Sequence, residues 1–337
     1  MCTVLRLGRA PRPVRSAMAA TLLLTLGACS ADTVPSAAMQ MLRFGVLQSV
    51  DQLPYFVMRA QGFDARNGLT ITETVMQGGT ALIEAMAAGT IDVSYPGSIA
   101  VLNASRTGVV PDQITVVASV ATADADHRAF AVLASSEIHS WADLEGQAIA
   151  INQPRAIAEA AIRTRLRSEG VTGTRLISIP LPNQGLAVAG GNVAAAVLVE
   201  PFITQSLQRG DGHVLDWVVG GGAPFPEFEE SVVTFSNEYI DAHPDGVRAF
   251  LRAQLQAVRW IADHESEARS LLAERLGLSA EVGAQMNLVR WPLDARNDVV
   301  LLSRIRDVLI QLEPSPMPSP IIDLIDTTFL DALGSDG

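Results

Sequence analysis

The stretch AVLVEPF, residues 196–202, puts a carboxylate at the end of an apolar run: Val197, Leu198 and Val199 lead into Glu200, and Pro201 follows. An unpaired charge in an apolar interior is expensive. Glu200 must therefore meet a donor, either on a ligand or in the first turn of a helix, where the dipole favours an acid. Other residues also have types suited to holding a small molecule. Gly97 and Ser98 open a helix, whose free N–H groups either hold an anion or are capped by the Ser hydroxyl. Gly78 and Gly79 either allow close backbone approach or supply a turn. The planar fork of Arg155 either pairs with a carboxylate or sulfonate or is solvated. Asp51 either meets a ligand amine or caps the helix that Pro54 starts. Tyr95 either stacks on a ligand or sits in the core.

Bond-breaking chemistry has little support. All 24 basic residues are Arg. Without a Lys amine there is no Schiff base and no P-loop. His127, His139, His213, His243 and His264 are scattered without metal-ligand spacing and read as surface or capping residues. No nucleophile–base pair and no metal cluster stands out, and no cofactor is expected.

The chain has 337 residues and a formal net charge of -12. That length suits two domains, and the acidic balance argues against nucleic acid as a partner. At the N-terminus Arg6, Arg9, Arg12 and Arg15 precede the apolar residues 17–28. This is the layout of a secretory leader, too short to span a bilayer comfortably. It ends in LGAC, residues 26–29, which resembles a bacterial lipobox whose Cys29 is acylated; the alternative is simple cleavage after Ala28. Residues 30–39 read as a flexible tether, and acyl chains on Cys29 would anchor the chain to a membrane. Cys2 leaves with the leader, so no disulfide framework remains. No transmembrane run follows.

The elements that must position these residues alternate. Strands are expected at residues 41–47, 69–75 and 91–95, in ITVVASV and AFAVLA, at residues 148–152, in RLISIPL and before Glu200. Helices are expected from Pro54, over residues 78–89, from Gly97, over residues 157–168, and over FITQSLQR. Ser140 with Asp143 three residues on is close to a capping box. This alternation points to α/β folding with mainly parallel sheets. After about residue 230 the pattern becomes mostly helical. Val247, Phe250, Leu251, Leu255, Val258 and Ile261 form one apolar face at helical spacing, and EPSPMPSP, residues 313–320, is a turn or link.

The order of these segments resembles the solute-binding proteins of the nitrate, sulfonate, taurine and thiamin-precursor uptake class, a group similar also to the fungal thiamin-pyrimidine synthases. Asp51, Pro54, Gly62, Phe63, Gly68, Leu69, Gly78, Gly79, Ala88, Gly89, Asp92, Tyr95, Gly97 and Ser98 fill the places of the N-terminal pattern. SWADLEGQAIAI, AGGNVAAAVLVEPF and HPDGVRAFLRAQLQAVRWI resemble later segments, with Gln147 where Lys is usual and Ala194 at an Asp-like position. The resemblance covers about residues 41–265.

The resemblance implies a type II periplasmic binding fold: two lobes, each a mainly parallel sheet flanked by helices, with the ligand cleft between them. Residues 41–122 plus 228–337 would form one lobe and 123–227 the other, after a leader at 1–28 and a tether at 29–40. Crossings fall near residues 119–126 and 219–231, where the acids of EFEES, residues 227–231, read as solvated. It implies a binding protein, not an enzyme, that captures a sulfonate, taurine-like or pyrimidine-like solute outside the cytoplasmic membrane. The partners would be an ABC permease with its ATPase. The alternatives are an enzyme of the same fold, or a sensor lobe. The synthases' pyridoxal-phosphate Lys and cysteine-rich iron segment have no counterpart here.

In open α/β sheets ligands bind beyond the C-terminal ends of strands. That rule selects Gln48, Ser49, Val50 and Asp51, then Gln77, Gly78 and Gly79, then Tyr95, Gly97 and Ser98. In the second half it selects Asn152, Gln153 and Arg155, then Asn183 and Gln184, then Glu200. Thr122, in the first crossing, completes the candidates.

Overall fold

The computed structural model describes residues 39–221, 224–317 and 320–334. The leader, Cys29 and nearly all of the tether lie outside the described residues. Among the described residues ten strands form two five-stranded sheets. The first holds β1 (Gln40–Val46), β2 (Leu69–Val75), β3 (Val93–Ser94) and β4 (Ile114–Ala123). Then come β5 (Phe130–Ala134), β6 (Ala148–Ile151), β7 (Arg175–Ser178), β8 (Ala195–Val199) and β9 (His213–Val219) of the second. The chain returns to the first sheet with β10 (Phe228–Ser236). The strand orders are β2-β1-β3-β10-β4 and β7-β6-β8-β5-β9.

Four strands of each sheet run the same way, as expected, and one runs against them, so both sheets are mixed but mainly parallel. In the first, β1 pairs in parallel with β2 and β3, whereas β10 runs antiparallel between β3 and β4. In the second, β6 pairs in parallel with β7 and β8, whereas β5 runs antiparallel between β8 and β9. The cause is the connectivity. The first strand after each crossing arrives from the other half of the molecule, with no helix to turn it parallel, and slots in reversed.

The crossings are short. One links Ala123 of β4 to Phe130 of β5; the other links Val219 of β9 to Phe228 of β10. Of EFEES only Glu227 is a solvated crossing residue; Phe228–Ser236 is buried along its whole length. Glu229 and Glu230, at 0% and 4% exposure, face the interior. β10 also takes up residues where the sequence suggests a crossing and then helix.

Helices cover both sheets. Ile157–Ser168 and Phe202–Arg209 form where their periodicity places them. Near Ser140 the capping box closes, though over a single 3-10 turn, Trp141–Leu144. The helix Pro244–Asp263 buries Val247, Phe250, Leu251, Val258 and Ile261. Phe250 meets Phe44, Tyr95 and Phe235 in an aromatic cluster above the first sheet. After Gln285 the chain runs back along the first crossing, where Thr122 and Arg290 exchange backbone hydrogen bonds of 2.8 and 2.9 Å. No helix among the described residues is long and apolar enough to cross a membrane.

Candidate functional site

A cavity of about 600 Å3 lies between the two sheets. It opens where the parallel strands of both end. β1 delivers Leu47, Gln48, Ser49 and Asp51; β2 delivers Met76, Gln77, Gly78 and Gly79; β3 leads to Gly97. From the second sheet β6 delivers Asn152 and Gln153, β7 leads to Pro180, Leu181 and Pro182, and β8 ends at Val199 with Phe202 beyond. The reversed strands present their N-terminal ends at the same edge, which adds Phe130 from β5 and Glu230 and Ser231 from β10.

Nine of the sequence candidates line this cavity: Gln48, Ser49, Asp51, Gln77, Gly78, Gly79, Gly97, Asn152 and Gln153. Two glycines bring the halves together. A Cβ on Gly78 would lie 2.5 Å from Gln153 Oε1, and one on Gly97 would lie 3.2 Å from Ile157 Cδ1.

The other candidates lie elsewhere. Tyr95 is a core residue: its ring packs edge-on against Phe44, and its hydroxyl donates to Gln254 Oε1 at 3.0 Å. The Ser98 hydroxyl is buried and donates to the Glu229 carbonyl oxygen. Thr122 is held by Arg290, whose Nε donates to its Oγ1 at 3.1 Å. Val50 and Gln184 are buried off the cavity, and Asn183 is exposed. Arg155, in the left-handed region at φ 58, is exposed and lines a separate groove with Arg106, Arg163 and Arg167.

Glu200, 1% exposed, does not line the cavity either. Its Oε1 accepts from Asn287 N and Nδ2, both at 3.0 Å, and from Thr204 Oγ1 at 3.0 Å. Its Oε2 accepts from Thr204 N at 3.1 Å. These donors answer the charge at the end of AVLVEPF from within the protein, in the first turn of the helix Phe202–Arg209 and from the segment after Gln285.

The acids at the cavity are Asp51 and Glu230. Asp51 caps no helix; its carboxylate accepts from Ser49 Oγ and, at 2.8 Å, from Gln52 Nε2. Gln52 also donates to the Tyr95 carbonyl at 3.2 Å, which ties this turn to β3. Burial raises the Asp51 carboxyl above its ordinary range, and the hydrogen bonds from Ser49 and Gln52 oppose that rise. Glu230 is pushed well above the ordinary value, first by burial and then by the charge of Asp51. Among the described residues its Oε2 has no hydrogen-bond partner. The Ser231 hydroxyl lies near Asp51 yet makes no hydrogen bond of good geometry, and Asn152 Oδ1 also lacks a donor. Among the described residues no Arg or His lines the cavity. Among the described residues no group of three His, Cys, Asp or Glu is placed to hold a metal ion.

Sequence reasoning missed Glu230, Ser231 and Phe130. The rule of C-terminal strand ends presumes parallel strands, and β5 and β10 run the other way. A signal was present: FEESVVTFS is AVLVEPF in reverse, with acids leading into an apolar, β-branched run.

Two like sheets joined by two short crossings, with the cavity between them, define the periplasmic binding protein fold. The chain belongs to the NMT1-like family, whose model matches residues 36–277. No curated protein matches it. Among solved structures it is similar to the alkanesulfonate-binding protein SsuA from Xanthomonas axonopodis pv. citri bound to MOPS. The identity is 20% over 82% of this chain and 93% of that one, with a TM-score of 0.66. It is also similar to the periplasmic nitrate-binding protein NrtA from Synechocystis PCC 6803, 13% identical over 89% of each chain, with a TM-score of 0.71. The desulfurization enzyme DSZB shares the fold as well, at 17% identity over 88% of this chain and 100% of that one, TM-score 0.65.

Proposed function

We propose that this protein is an extracytoplasmic solute-binding protein that delivers a small polar solute to an ABC permease and its ATPase. The observation that carries the reading is the cavity itself. It has the volume of a small-molecule site, mostly apolar walls and a few convergent polar groups, and residues from both sheets line it. Hinge closure of two lobes around a ligand suits such a site. Binding and release need no chemistry from the protein. The leader and the lipobox-like LGAC support secretion and anchoring through acylated Cys29.

Uptake is the direct test. A strain lacking this gene should lose accumulation of the solute, and purified protein should stimulate the ATPase of its permease in proteoliposomes only when loaded. Uptake unchanged by the deletion would sink the reading. For the anchor, a Cys29→Ala variant should leave the membrane fraction.

A second reading is an enzyme on the same fold. A buried acid pair in a cavity is also a place for proton transfer, and DSZB is an enzyme with this architecture. Mass spectrometry separates the two: a solute recovered intact after long incubation supports binding, and conversion supports catalysis.

A further inference from the structure

We propose that the cavity takes an organic cation: a solute with a protonated nitrogen, of the amine, amidine or guanidine type, held by Asp51 and Glu230, with an apolar body against the walls. This rests on the solute-binding reading and deepens it. It also departs from the sulfonate and nitrate named for the similar structures.

The argument starts from unmet hydrogen-bonding capacity. Buried polar atoms in folded proteins nearly always have a partner. Here Glu230 Oε2, Asn152 Oδ1 and Ser231 Oγ have none among the described residues, and all three residues line one cavity. Asn152 Oδ1 can only accept, Glu230 Oε2 accepts whenever its carboxyl is ionised, and the Ser231 hydroxyl can do either. A partner that satisfies all three while Glu230 is ionised therefore brings donors. Glu230 is 4% exposed and Asp51 is 6% exposed, so bulk water does little to screen their charges. The charge of Asp51 adds to burial in raising the proton affinity of Glu230, as a like charge in a low-dielectric pocket does.

Charge points the same way. An anion needs cationic or N–H donors. The Arg expected at this edge, Arg155, turns away into the separate groove. The helix Ser98–Ser105 could offer its N-terminus, but the acids at the cavity oppose an anion there. A sulfonate would set its oxygens against acceptors with no counter-charge. A protonated nitrogen supplies charge and donors together, while Leu47, Met76, Phe130 and Ile157 provide an apolar wall for the carbon skeleton. Binding then takes any proton off Glu230, so affinity rises with pH. Asp51 is the charged group that acts on Glu230.

Matched probes test this by thermal shift and calorimetry on the mature protein. Benzamidine, phenethylamine and agmatine are the cations; benzoate, benzenesulfonate, taurine and nitrate are the comparison, at constant ionic strength. A bound ligand raises Tm by mass action. The expected result is a shift with one or more of the three cations and with none of the anions. Glu230→Gln should weaken that binding on the order of 100-fold, the usual consequence of removing one partner of a buried charge pair. Asp51→Asn is the second variant, and in each the free protein's Tm should not fall, since a desolvated acid has been removed. No shift with any of the three cations overturns the inference, as does wild-type affinity in both variants. Binding of an anion alone overturns it too, while leaving the solute-binding reading intact, because uptake by the deletion strain tests that separately.

Discussion

Glu229 is fully buried in β10, where its carboxylate accepts from Asn297 Nδ2 at 3.0 Å and from the Asp298 N–H at 3.2 Å. Burial nevertheless dominates and pushes its pKa up to about 7, with the donors opposing. The consequence for stability has a definite sign. Below the ordinary value of 4.5 the group is protonated folded and unfolded, and its full contribution is present. As pH rises from there through 7, the unfolded chain releases the proton first and stability falls. At 1.36 kcal/mol per unit the loss approaches roughly 3 kcal/mol by pH 8. Asp51 and Glu230, also raised, act in the same direction. Urea denaturation should therefore give a lower stability at pH 8 than at pH 5, with a clearly smaller drop in Glu229→Gln. Equal drops in the two proteins would contradict the assignment. Neither acid's role was legible in the sequence, since a pair of Glu after a Pro-rich link reads as surface. What makes them interior is the reversed pairing of β10, a long-range fact. Arg155 shows the opposite failure. Its position beyond β6 was readable, but not the left-handed turn that carries its side chain out of the cavity.

At the level of elements, local pattern was a good guide wherever one element buries one face. The helices Ile157–Ser168, Phe202–Arg209 and Pro244–Asp263 follow their periodicity, β1 and β8 follow their apolar runs, and β2 follows its alternation. β3 is only two residues long, Val93–Ser94, and its place beside β1 is set by tertiary pairing. Glu200 links three such elements: β8, the helix after it, and the segment beyond Gln285. Glu200→Ala would leave the donors of Thr204 and Asn287 without partners in a buried setting. Each unsatisfied group costs about 1 to 3 kcal/mol before relaxation, so a net loss of roughly 2 to 4 kcal/mol is expected. Chemical denaturation reads this directly, and stability equal to wild type would show that water replaces the carboxylate. In the core above the first sheet, Phe250→Ala removes a ring that touches three aromatic neighbours. It should cost about 3 to 5 kcal/mol, with Phe250→Leu recovering much of the loss.

For the whole molecule, the two halves meet across the cavity through small residues and a few polar contacts. Asn103 Nδ2 donates to the Arg155 carbonyl at 2.8 Å, and Arg167 Nη1 donates to the Gln311 carbonyl at 2.9 Å. Gln208 and Gln285 join at 3.2 Å near the Glu200–Asn287 contact. Single contacts of this exposed kind contribute little each, so the balance between apart and together is easily biased by a ligand or by steric bulk. Gly97 is the place to apply the bulk. Its φ of -62° suits any residue, so a side chain there strains no backbone. Even a Cβ would press on Ile157 Cδ1 at 3.2 Å, and the Glu230 carbonyl is 3.6 Å away. A Gly97→Leu variant should therefore fold with nearly the stability of wild type yet resist bringing its halves together. With a saturating solute, small-angle scattering should show wild type contracting and the variant keeping its larger radius of gyration, with affinity reduced in parallel. A variant that contracts like wild type would mean that Ile157 yields, and that the contact at Gly97 does not govern closure.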